Sequence, residues 1–427
     1  MGEPQSSLEF KRHIFDELYG SVGITEVENE LVDTPVFQRL RRIQHLGCVS
    51  LVYPGATHTR FSHSIGTVFV MDRLARSLKL STNSEILQLL RLVALLHDVG
   101  HLPFSHMPDA FLKKEGHEAL GQRIIHETPI SDILTKHRVD PSEIVKVLNK
   151  SSDERYSILI DSDLDVDKMD YLMRDAHHTG VSYGIVDLDR LLRTIYFDSE
   201  KRLCVRYKGK QALENFVLAR YYMYSTVYHH STVASFELML RQIFKALVDD
   251  DKLLHPSEAV SKGASYFAGY NDDLVLRTML NYDGKNEFLK KLIEMYFRRE
   301  PLKLVDEETR LVKQKMPGRY HSLLLLKNKE GHLNGLASAS GVPVEWILFD
   351  ESKPIDLVSE EEAAIRIQTE EDSEDTVPIA KDESSIASVL RDVERVCLRM
   401  YTRQEYKDSL RNAFENNYSM IENHKIA

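Results

Sequence analysis

The sequence predicts a mostly α-helical protein with a smaller region of mixed α and β structure at its C-terminal end. Three observations lead to this prediction. Apolar residues recur at three- and four-residue steps over much of 61–300, and short strand-like segments follow after about residue 300. A chain of 427 residues is also long enough for two or three structural units. We therefore expect a helical unit over 1–300 and an α+β lobe over 301–427.

Residues 1–60 mix short strand-like and helical pieces with turns, and the mostly helical pattern begins at about residue 61 with two helices. Apolar spacing predicts one helix over about 65–78 and another over about 86–96, and the polar residues 81–84 supply a turn and an N-cap between them. Residues 195–208 predict a β-hairpin, because alternating apolar positions flank a polar turn. Residues 212–248 then return to a long helical pattern.

The C-terminal lobe has a different pattern. Short strands are predicted within 309–317, 345–350, 363–369 and 376–382, and one or two terminal helices within 386–416. The segment 359–375 is strongly acidic, and like charges favour an extended chain, so we expect a mobile loop there.

The charge of the chain excludes some classes of function. The net charge is −11, and residues 350–385 hold 13 acidic and 3 basic side chains, so almost all of the excess lies in one segment. A general nucleic-acid surface is not expected, because such domains are usually basic. No apolar stretch approaches the roughly 20 residues of a membrane span, and no apolar signal core begins the chain.

Cysteine usage points to a reducing compartment. The chain has three cysteines, Cys48, Cys204 and Cys397, with no CxxC pair. This pattern argues against a disulfide framework and against a thiolate zinc site. We expect a cytoplasmic protein.

The densest group of chemically active residues is LLHDVGHLPFSH, residues 95–106. An apolar helix ends there at His97-Asp98, and imidazole and carboxylate are the usual ligands of a hydrolytic transition metal. The alternative is that both side chains only form local hydrogen bonds near a helix terminus.

Two further segments favour the metal interpretation. HTRFSHS, residues 58–64, places His63 at the start of a helix, and DVDKMDYLMRDAHHTG, residues 165–180, supplies Asp167. Together, His63, His97, Asp98 and Asp167 form a set of two histidines and two carboxylates. Such a set leaves coordination positions open for water and substrate, as a catalytic metal requires.

The sequence segments around these residues resemble those of a known family. DTPVFQRLRRIQHLG (33–47), YPGATHTRFSHSIG (53–66), HDVGHLPFSH (97–106) and DVDKMDYLMRDAHHTG (165–180) resemble the HD-domain deoxynucleoside triphosphate triphosphohydrolases, including members that combine a SAM with an HD domain and their bacterial relatives. The likeness is strong over about 12–235 and traceable to about 420. It implies an HD-domain helical core with a smaller α+β lobe. The segment before it is too short for a SAM domain, so no role of that module is carried over.

The resemblance implies that the four-residue set holds Fe, Mn, Zn or Ni, and that Mg accompanies the triphosphate. It also implies that Arg60, Lys168 and Arg220 grip the triphosphate and that Tyr171 donates a hydroxyl. Arginine offers paired donors to phosphate, and lysine offers a point charge. A surface salt bridge is the alternative for each cation and is an equal rival for Arg220.

The implied reaction is hydrolytic attack at the α-phosphorus, which yields deoxynucleoside and intact triphosphate. His106 is the implied general acid, His101 and His117 assist it, and Asp109 orients it if that stretch is helical. Any one of these histidines is alternatively a core histidine with satisfied hydrogen bonds.

The resemblance also assigns the nucleoside end. Asp175 and Tyr228 match residues that contact the sugar, although YYMYSTVYHH (221–230) is rich enough in tyrosine for Tyr228 to be core. Leu46 matches the family residue that lies beside the sugar. At the preceding position, next to the 3′-hydroxyl, this chain has His45 where the family relative has a glutamine. The departure therefore lies at the position that would discriminate the sugar.

A second, regulatory set of residues also matches. Asp33, Gln38 and Arg41 fall where the family binds an activating guanine nucleotide, with Arg12 at its phosphates. A second activating deoxynucleotide would lie between subunits of a homo-tetramer, on Val52, Tyr53, Arg190, Arg206, Lys208 and His230. Without the resemblance, DTPVFQRLRR is simply an N-capped amphipathic helix with solvated arginines.

Two other functions remain open. Another HD-type phosphohydrolase or phosphodiesterase would share the metal set, but a monophosphate needs fewer cations than Arg60, Lys168 and Arg220 provide. A nucleotide sensor would bind without turnover and would need neither the metal set nor His106.

Overall fold

The computed structural model describes residues 8–105, 116–151, 153–311, 317–352, 365–371, 373–391 and 395–418. These residues are mostly helical, with small sheets, and the predicted fold class is confirmed. The helices, numbered in chain order, are α1 (Glu26–Val32), α2 (Pro35–Gln38), α3 (Arg60–Ser77), α4 (Ser84–Leu96), α5 (Gly116–Glu127), α6 (Pro129–Lys136), α7 (Pro141–Leu148), α8 (Glu154–Ser157), α9 (Val166–Thr179), α10 (Leu188–Thr194), α11 (Lys210–Met223), α12 (Ser231–Asp249), α13 (Pro256–Ser261), α14 (Ala264–Ala268), α15 (Asp272–Leu280), α16 (Glu287–Phe297), α17 (Gly318–Asn328), α18 (Glu330–Ser340), α19 (Ala387–Leu390) and α20 (Lys407–Tyr418).

The strands form three small sheets. They are β1 (Arg12–Asp16), β2 (Gly20–Ile24), β3 (Ile195–Phe197), β4 (Leu203–Val205), β5 (Lys303–Leu311), β6 (Leu348–Glu351), β7 (Arg366–Gln368), β8 (Thr376–Pro378) and β9 (Arg395–Thr402). β1 and β2 make an antiparallel hairpin, the second sheet has the order β3-β4-β7-β8, and the third has the order β5-β9-β6.

Three helices position the candidate site. α3 packs against both α4 and α9, and the predicted apolar positions of α3 and α4 lie in one continuous core. Asn83, within the predicted turn, accepts hydrogen bonds from the first backbone N–H groups of α4. Asp165 caps α9 in the same way, and Gly180 ends it in the left-handed conformation. The helix ends are thus fixed by local sequence.

The middle of the chain follows the prediction with one interruption. The hairpin predicted in 195–208 is formed by β3 and β4. The long helix predicted over 212–248 is instead two helices, α11 and α12, separated by a π-helical turn over Tyr224–Tyr228. In that turn Ser225 and Thr226 donate their hydroxyls to carbonyls of the preceding helical turn, which is the side-chain competition that bends helices.

The C-terminal lobe corrects the sequence analysis in one place. β7 and β8 fall within predicted strands, β6 overlaps its predicted range and ends one residue later, and β5 begins earlier than predicted, at Lys303. The prediction of only helices within 386–416 is wrong, because β9 lies between α19 and α20. β9 is the central strand of its sheet, and residues 396–402 are all buried, so the two-residue alternation of a half-exposed strand is missing.

The lobe also completes a sheet begun earlier in the chain. β7 pairs with β4 in parallel, although the two strands are separated by about 160 positions. The division at residue 300 stays a prediction. Of the acidic segment 359–375, residues 359–364 and 372 lie outside the described residues, and 366–368 form β7 rather than a loop.

Two smaller expectations are tested by the same structure. All three cysteines are buried as free thiols. Within the described ranges, no helix combines the length and apolar character needed to cross a membrane.

Candidate functional site: a histidine–aspartate metal centre in a deep cavity

The four predicted metal ligands converge at the start of α3, the end of α4 and the start of α9. His63 Nε2 lies 3.2 Å from His97 Nε2 and 3.0 Å from Asp167 Oδ1. These three residues form one compact group of ligand atoms. Asp98 joins them, because its carboxylate lies 3.6 Å from His63 Nε2 and 3.3 Å from His97 Nε2. Spacings of this size fit ligands that share one transition metal.

Both histidines are oriented from behind. His63 Nδ1 lies 2.8 Å from Asp170 Oδ2, and His97 Nδ1 lies 2.8 Å from the carbonyl of Ala94. Since a carboxylate and a carbonyl accept, each Nδ1 carries a proton and each Nε2 faces the cluster. This is the outer support that metal-bound histidines usually have, so the residues fit a metal.

The electrostatics of the cluster favour a cation. Burial by itself lowers the pKa of His63, but Asp167, Asp170 and Asp98 outweigh burial and raise it to about 10. Burial opposes ionisation of Asp167, yet hydrogen bonds from His63 and His97 hold its pKa well below its usual value. The same carboxylates that stabilise a proton here would stabilise a metal ion.

The predicted phosphate-binding cations line the cavity that contains this cluster. The cavity has a volume of about 730 Å³, and Arg60, Lys168 and Arg220 lie in its wall. Arg60 Nη1 donates to Asp98 at 2.7 Å, Lys168 Nζ donates to Asp165 at 2.7 Å, and Arg220 lies 3.5 Å from Asp163. All three are largely buried, so the alternative of a surface salt bridge does not describe them.

The predicted nucleoside residues line the same cavity. Tyr228 donates its hydroxyl to Asp175 Oδ2 at 2.6 Å, so Tyr228 is part of the polar wall rather than only of the apolar core. His45 Nε2 lies 3.8 Å from Asp175 Oδ1, and the His45 ring lies 4.4 Å from the ring of His63. Leu46 and Tyr171 complete this part of the wall.

His58 lies behind this part of the cavity wall, in contact with Asp175, and we did not single it out in the sequence. Its Nε2 lies 2.7 Å from Asp175 Oδ1, so His45, His58 and Asp175 form a second compact group. The sequence did contain a signal for it, because His58 opens the HTRFSHS segment.

Two of the four predicted catalytic residues are brought together. His101 and His117 line the cavity and stack with ring centroids 4.1 Å apart. His101 Nε2 lies 3.1 Å from Asp98, and burial together with Arg60 holds the pKa of His101 well below its usual value. His106 and Asp109 lie outside the described residues.

Two buried residues that we did not predict from the sequence brace the cavity wall. Both carboxylate oxygens of Asp272 accept backbone N–H groups, from Gln44 at 2.9 Å and from Phe104 at 2.7 Å. Arg39 donates to the carbonyls of Val99 and His101 at 2.8 Å. Asp272 and Arg39 each support backbone segments that are far from them in the sequence, so no local motif indicates their role.

The first predicted regulatory set forms a separate cavity. Its volume is about 440 Å³, and its walls contain all four residues of the set: Arg12, Asp33, Gln38 and Arg41. Arg12 pairs with Asp33 at 3.0 Å, and Arg41 Nε donates to Gln38 Oε1 at 2.9 Å. Arg41 also lies over the ring of Phe61.

The second predicted regulatory set contains two groups of contacting residues within one chain. Tyr53, which follows Val52, and His230 contact each other edge to face. Arg190 donates to the carbonyl of Lys208. Arg206 lies over Tyr196. Arg206 and Lys208 share a third cavity of about 770 Å³ with acidic residues of the β3–β4 turn and the β7–β8 turn.

Family models match most of the chain. Residues 60–175 match the HD domain, and residues 186–426 match the HD associated region. An uncharacterized protein of Methanocaldococcus jannaschii is 40% identical over 232 residues, which are 54% of this chain and 48% of that protein. The chain therefore spans about half the length of this relative.

Two further relatives extend the comparison. The deoxynucleoside triphosphate triphosphohydrolase SAMHD1 of Bos taurus is 26% identical over 397 residues, which are 81% of this chain and 65% of that protein. The crystal structure of a hypothetical protein from Aquifex aeolicus superposes with a TM-score of 0.74 at 28% identity, covering 94% of this chain and 99% of that one.

Proposed function

We propose that this protein is a metal-dependent enzyme that hydrolyses deoxynucleoside triphosphates to deoxynucleoside and intact triphosphate. The premise is that the chain belongs to the HD superfamily of phosphohydrolases and carries its HD-associated region. One observation carries the proposal. A histidine–aspartate cluster and three buried cations, Arg60, Lys168 and Arg220, share one cavity of about 730 Å³. That volume falls within the roughly 300–1,000 Å³ of ordinary ligand sites.

The metal end supplies the hydrolytic chemistry. His63, His97, Asp98 and Asp167 would hold a divalent transition metal, which, when bound, polarises a phosphoryl oxygen and lowers the pKa of a water ligand. Asp170 and the carbonyl of Ala94 keep both imidazoles turned toward that position. Arg60 holds Asp98 and also borders the cavity, so it orients a ligand and neutralises phosphate charge.

The cations and the polar wall would orient the substrate. Lys168 and Arg220 add two buried positive charges beyond the one beside the metal cluster, which suits a polyphosphate better than a monophosphate. Asp175, held by Tyr228 and His58, presents a carboxylate toward the nucleoside end. The remote relative named as a deoxynucleoside triphosphate triphosphohydrolase supports this choice of substrate class.

The test is product analysis with the four deoxynucleoside triphosphates, alone and mixed, on protein loaded with Mn²⁺ and Mg²⁺. We expect deoxynucleoside and tripolyphosphate, with ¹⁸O from labelled water on the tripolyphosphate. The control is Asp98→Asn, which should be inactive. Monophosphate with pyrophosphate, or cleavage of phosphodiesters alone, would favour another HD phosphohydrolase. Saturable binding without turnover would favour a sensor.

A regulatory site is the second part of the proposal. The cavity lined by Arg12, Asp33, Gln38 and Arg41 supports it, because it combines two guanidinium groups for phosphates with a carboxylate and an amide for a base edge. The Asp33 carboxylate would accept hydrogen bonds from N1–H and N2–H₂ of guanine. Such coupling between sites is typically about 5–150-fold in affinity.

The regulatory part has its own experiment. Hydrolysis of each deoxynucleotide is measured with and without GTP, beside sedimentation of the same samples. We expect GTP to raise both the rate and the mass of a homo-oligomer, and Asp33→Ala to lose this response while it keeps its metal. Rates and mass that ignore added nucleotide would contradict this part and leave the hydrolytic part standing.

A further inference from the structure

The N-terminal hairpin reaches the metal cluster through a buried chain of charged residues. Asp16 ends β1 and Glu17 follows it, and both accept from the guanidinium of Arg174 on α9, at 2.9 Å and 2.6 Å. The Arg174 side chain is 0% exposed and that of Asp16 is 1% exposed. The Arg174–Asp16 pair is therefore shielded from the salt and water that screen surface ion pairs, whereas Glu17 stays 36% exposed.

The same guanidinium grips the residue behind a metal ligand. Arg174 Nε and Nη2 donate to the two oxygens of Asp170 at 2.8 Å and 2.9 Å. Asp170 Oδ2 in turn accepts from Nδ1 of His63 at 2.8 Å. The paired geometry fixes the carboxylate in its plane as well as in position, and only arginine offers such a fork.

The backbone of α3 leaves this chain no room to move. A Cβ added to Gly66 would lie 2.0 Å from Asp170 Oδ1 and 2.1 Å from Arg174 Nη2. Gly66 is one turn after His63 on the same helix, so the helix that carries the ligand packs directly on the ion pair. A shift of the arginine therefore displaces both Asp170 and the helix.

We propose that Arg174 is a positioning residue for the metal ligand His63, and that the N-terminal hairpin, through Asp16 and Glu17, is a structural part of the metal centre. The inference rests on the metal site of the proposed function. Replacing an outer-shell partner of a metal ligand typically lowers metal affinity or activity by about 10–100-fold. Arg174 contacts no predicted metal ligand itself and acts through Asp170.

A second contact extends the same turn toward the nucleoside end. Glu17 also pairs with His178 at 3.0 Å, and the ring of His178 stacks on that of His58 at 4.4 Å. His58 holds Asp175. The Asp16–Glu17 turn thus supports both ends of the cavity from one side.

The experiment compares two equally buried arginines. Arg174→Lys keeps the charge but loses the fork, and Arg91→Lys is its matched control. Arg91 is 2% exposed, bonds with Glu28 and Asp72 and donates to the hairpin carbonyl of Gly23, yet it reaches no metal ligand. Co²⁺ affinity is measured by chelator competition, the visible Co²⁺ spectrum reports ligand geometry, and thermal unfolding reports stability.

We expect Arg174→Lys to weaken Co²⁺ binding by about 10–100-fold and to change the spectrum. Arg91→Lys should lose similar stability and keep its affinity within about twofold. Equal affinities of wild type and Arg174→Lys would overturn the inference. If wild type binds Co²⁺ no better than Asp98→Asn, the metal site itself fails, which is a distinguishable result.

Two milder variants keep the test decisive if Arg174→Lys does not fold. Glu17 is 36% exposed, so Glu17→Gln removes one charge without burying a new group, and Asp16→Asn does the same at the buried partner. We expect about threefold weaker Co²⁺ binding from each. Unchanged affinity in both variants would show that the hairpin is not part of the metal centre.

Discussion

The two ends of the cavity that contains the metal cluster are both built from histidine and aspartate, but their histidines are held differently. At the metal end, Nδ1 of His63 and of His97 has a protein acceptor behind it. At the nucleoside end, Nδ1 of His45 and of His58 is buried and has no hydrogen-bonding partner among the described residues. The metal end is thus preorganised for a cation, whereas at the proposed nucleoside end His45, which lines the cavity, has an unused Nδ1.

The largest expected effect separates the two ends by metal content. Replacing His97 and Asp98 with Ala should reduce bound metal to background and turnover by more than about 100-fold, because ligands matter more than their outer-shell partners. Elemental analysis and the hydrolysis assay measure this, with circular dichroism as the control for folding. Full activity in the metal-free double variant would refute the assignment.

Tyr228→Phe should produce an intermediate effect confined to the nucleoside end. It removes the hydroxyl that donates to Asp175 at 2.6 Å, and a hydrogen bond to a charged group is worth about 1.5–3 kcal/mol. We expect kcat/KM to fall about tenfold or more while metal content is unchanged. Loss of metal in this variant would mean that the two ends are not separable.

His45→Gln tests where the boundary between the ends lies. The Gln amide can donate and accept like the imidazole, so we expect KM to change by only about threefold and metal content to be unchanged. The ratio of deoxyribonucleotide to ribonucleotide hydrolysis should change, because His45 borders the sugar position. His45 also forms a compact group with His63 and Asp98. If His45→Gln lost its metal, His45 would therefore be assigned to the metal site instead.

The smallest effect concerns stability alone and lies in the cavity wall at Glu237. Burial, helped by Asp350 and opposed by Arg241 and Arg399, raises the pKa of this carboxyl to about 7. Glu237 in turn contributes, after burial, to the raised pKa of the Cys48 thiol.

Folding therefore favours the protonated form of Glu237, and the free energy of unfolding falls as pH rises from about 5 to about 8. Glu237→Gln should remove on the order of 1–3 kcal/mol of that dependence. Urea unfolding at both pH values measures it, and parallel pH profiles for the two proteins would contradict the assignment.

Much of the helical core was predictable because its signals are local. Apolar spacing indicated α3 and α4, Asn83 lies in the predicted turn, and the hairpin at 195–208 was marked by its polar turn. β9 was not predictable in this way. A strand buried on both faces carries no alternating pattern, so its apolar run resembles that of a buried helix.

The sequence by itself determined which residues have the right chemistry for a metal and a polyphosphate: His63, His97, Asp98, Asp167 and the three cations. Only the tertiary structure decided what stands behind them. Asp170, Arg174, Asp16, His58 and Asp272 act through contacts between segments far apart in the chain. A buried charge needs a partner wherever the fold brings one, and local sequence cannot specify that partner.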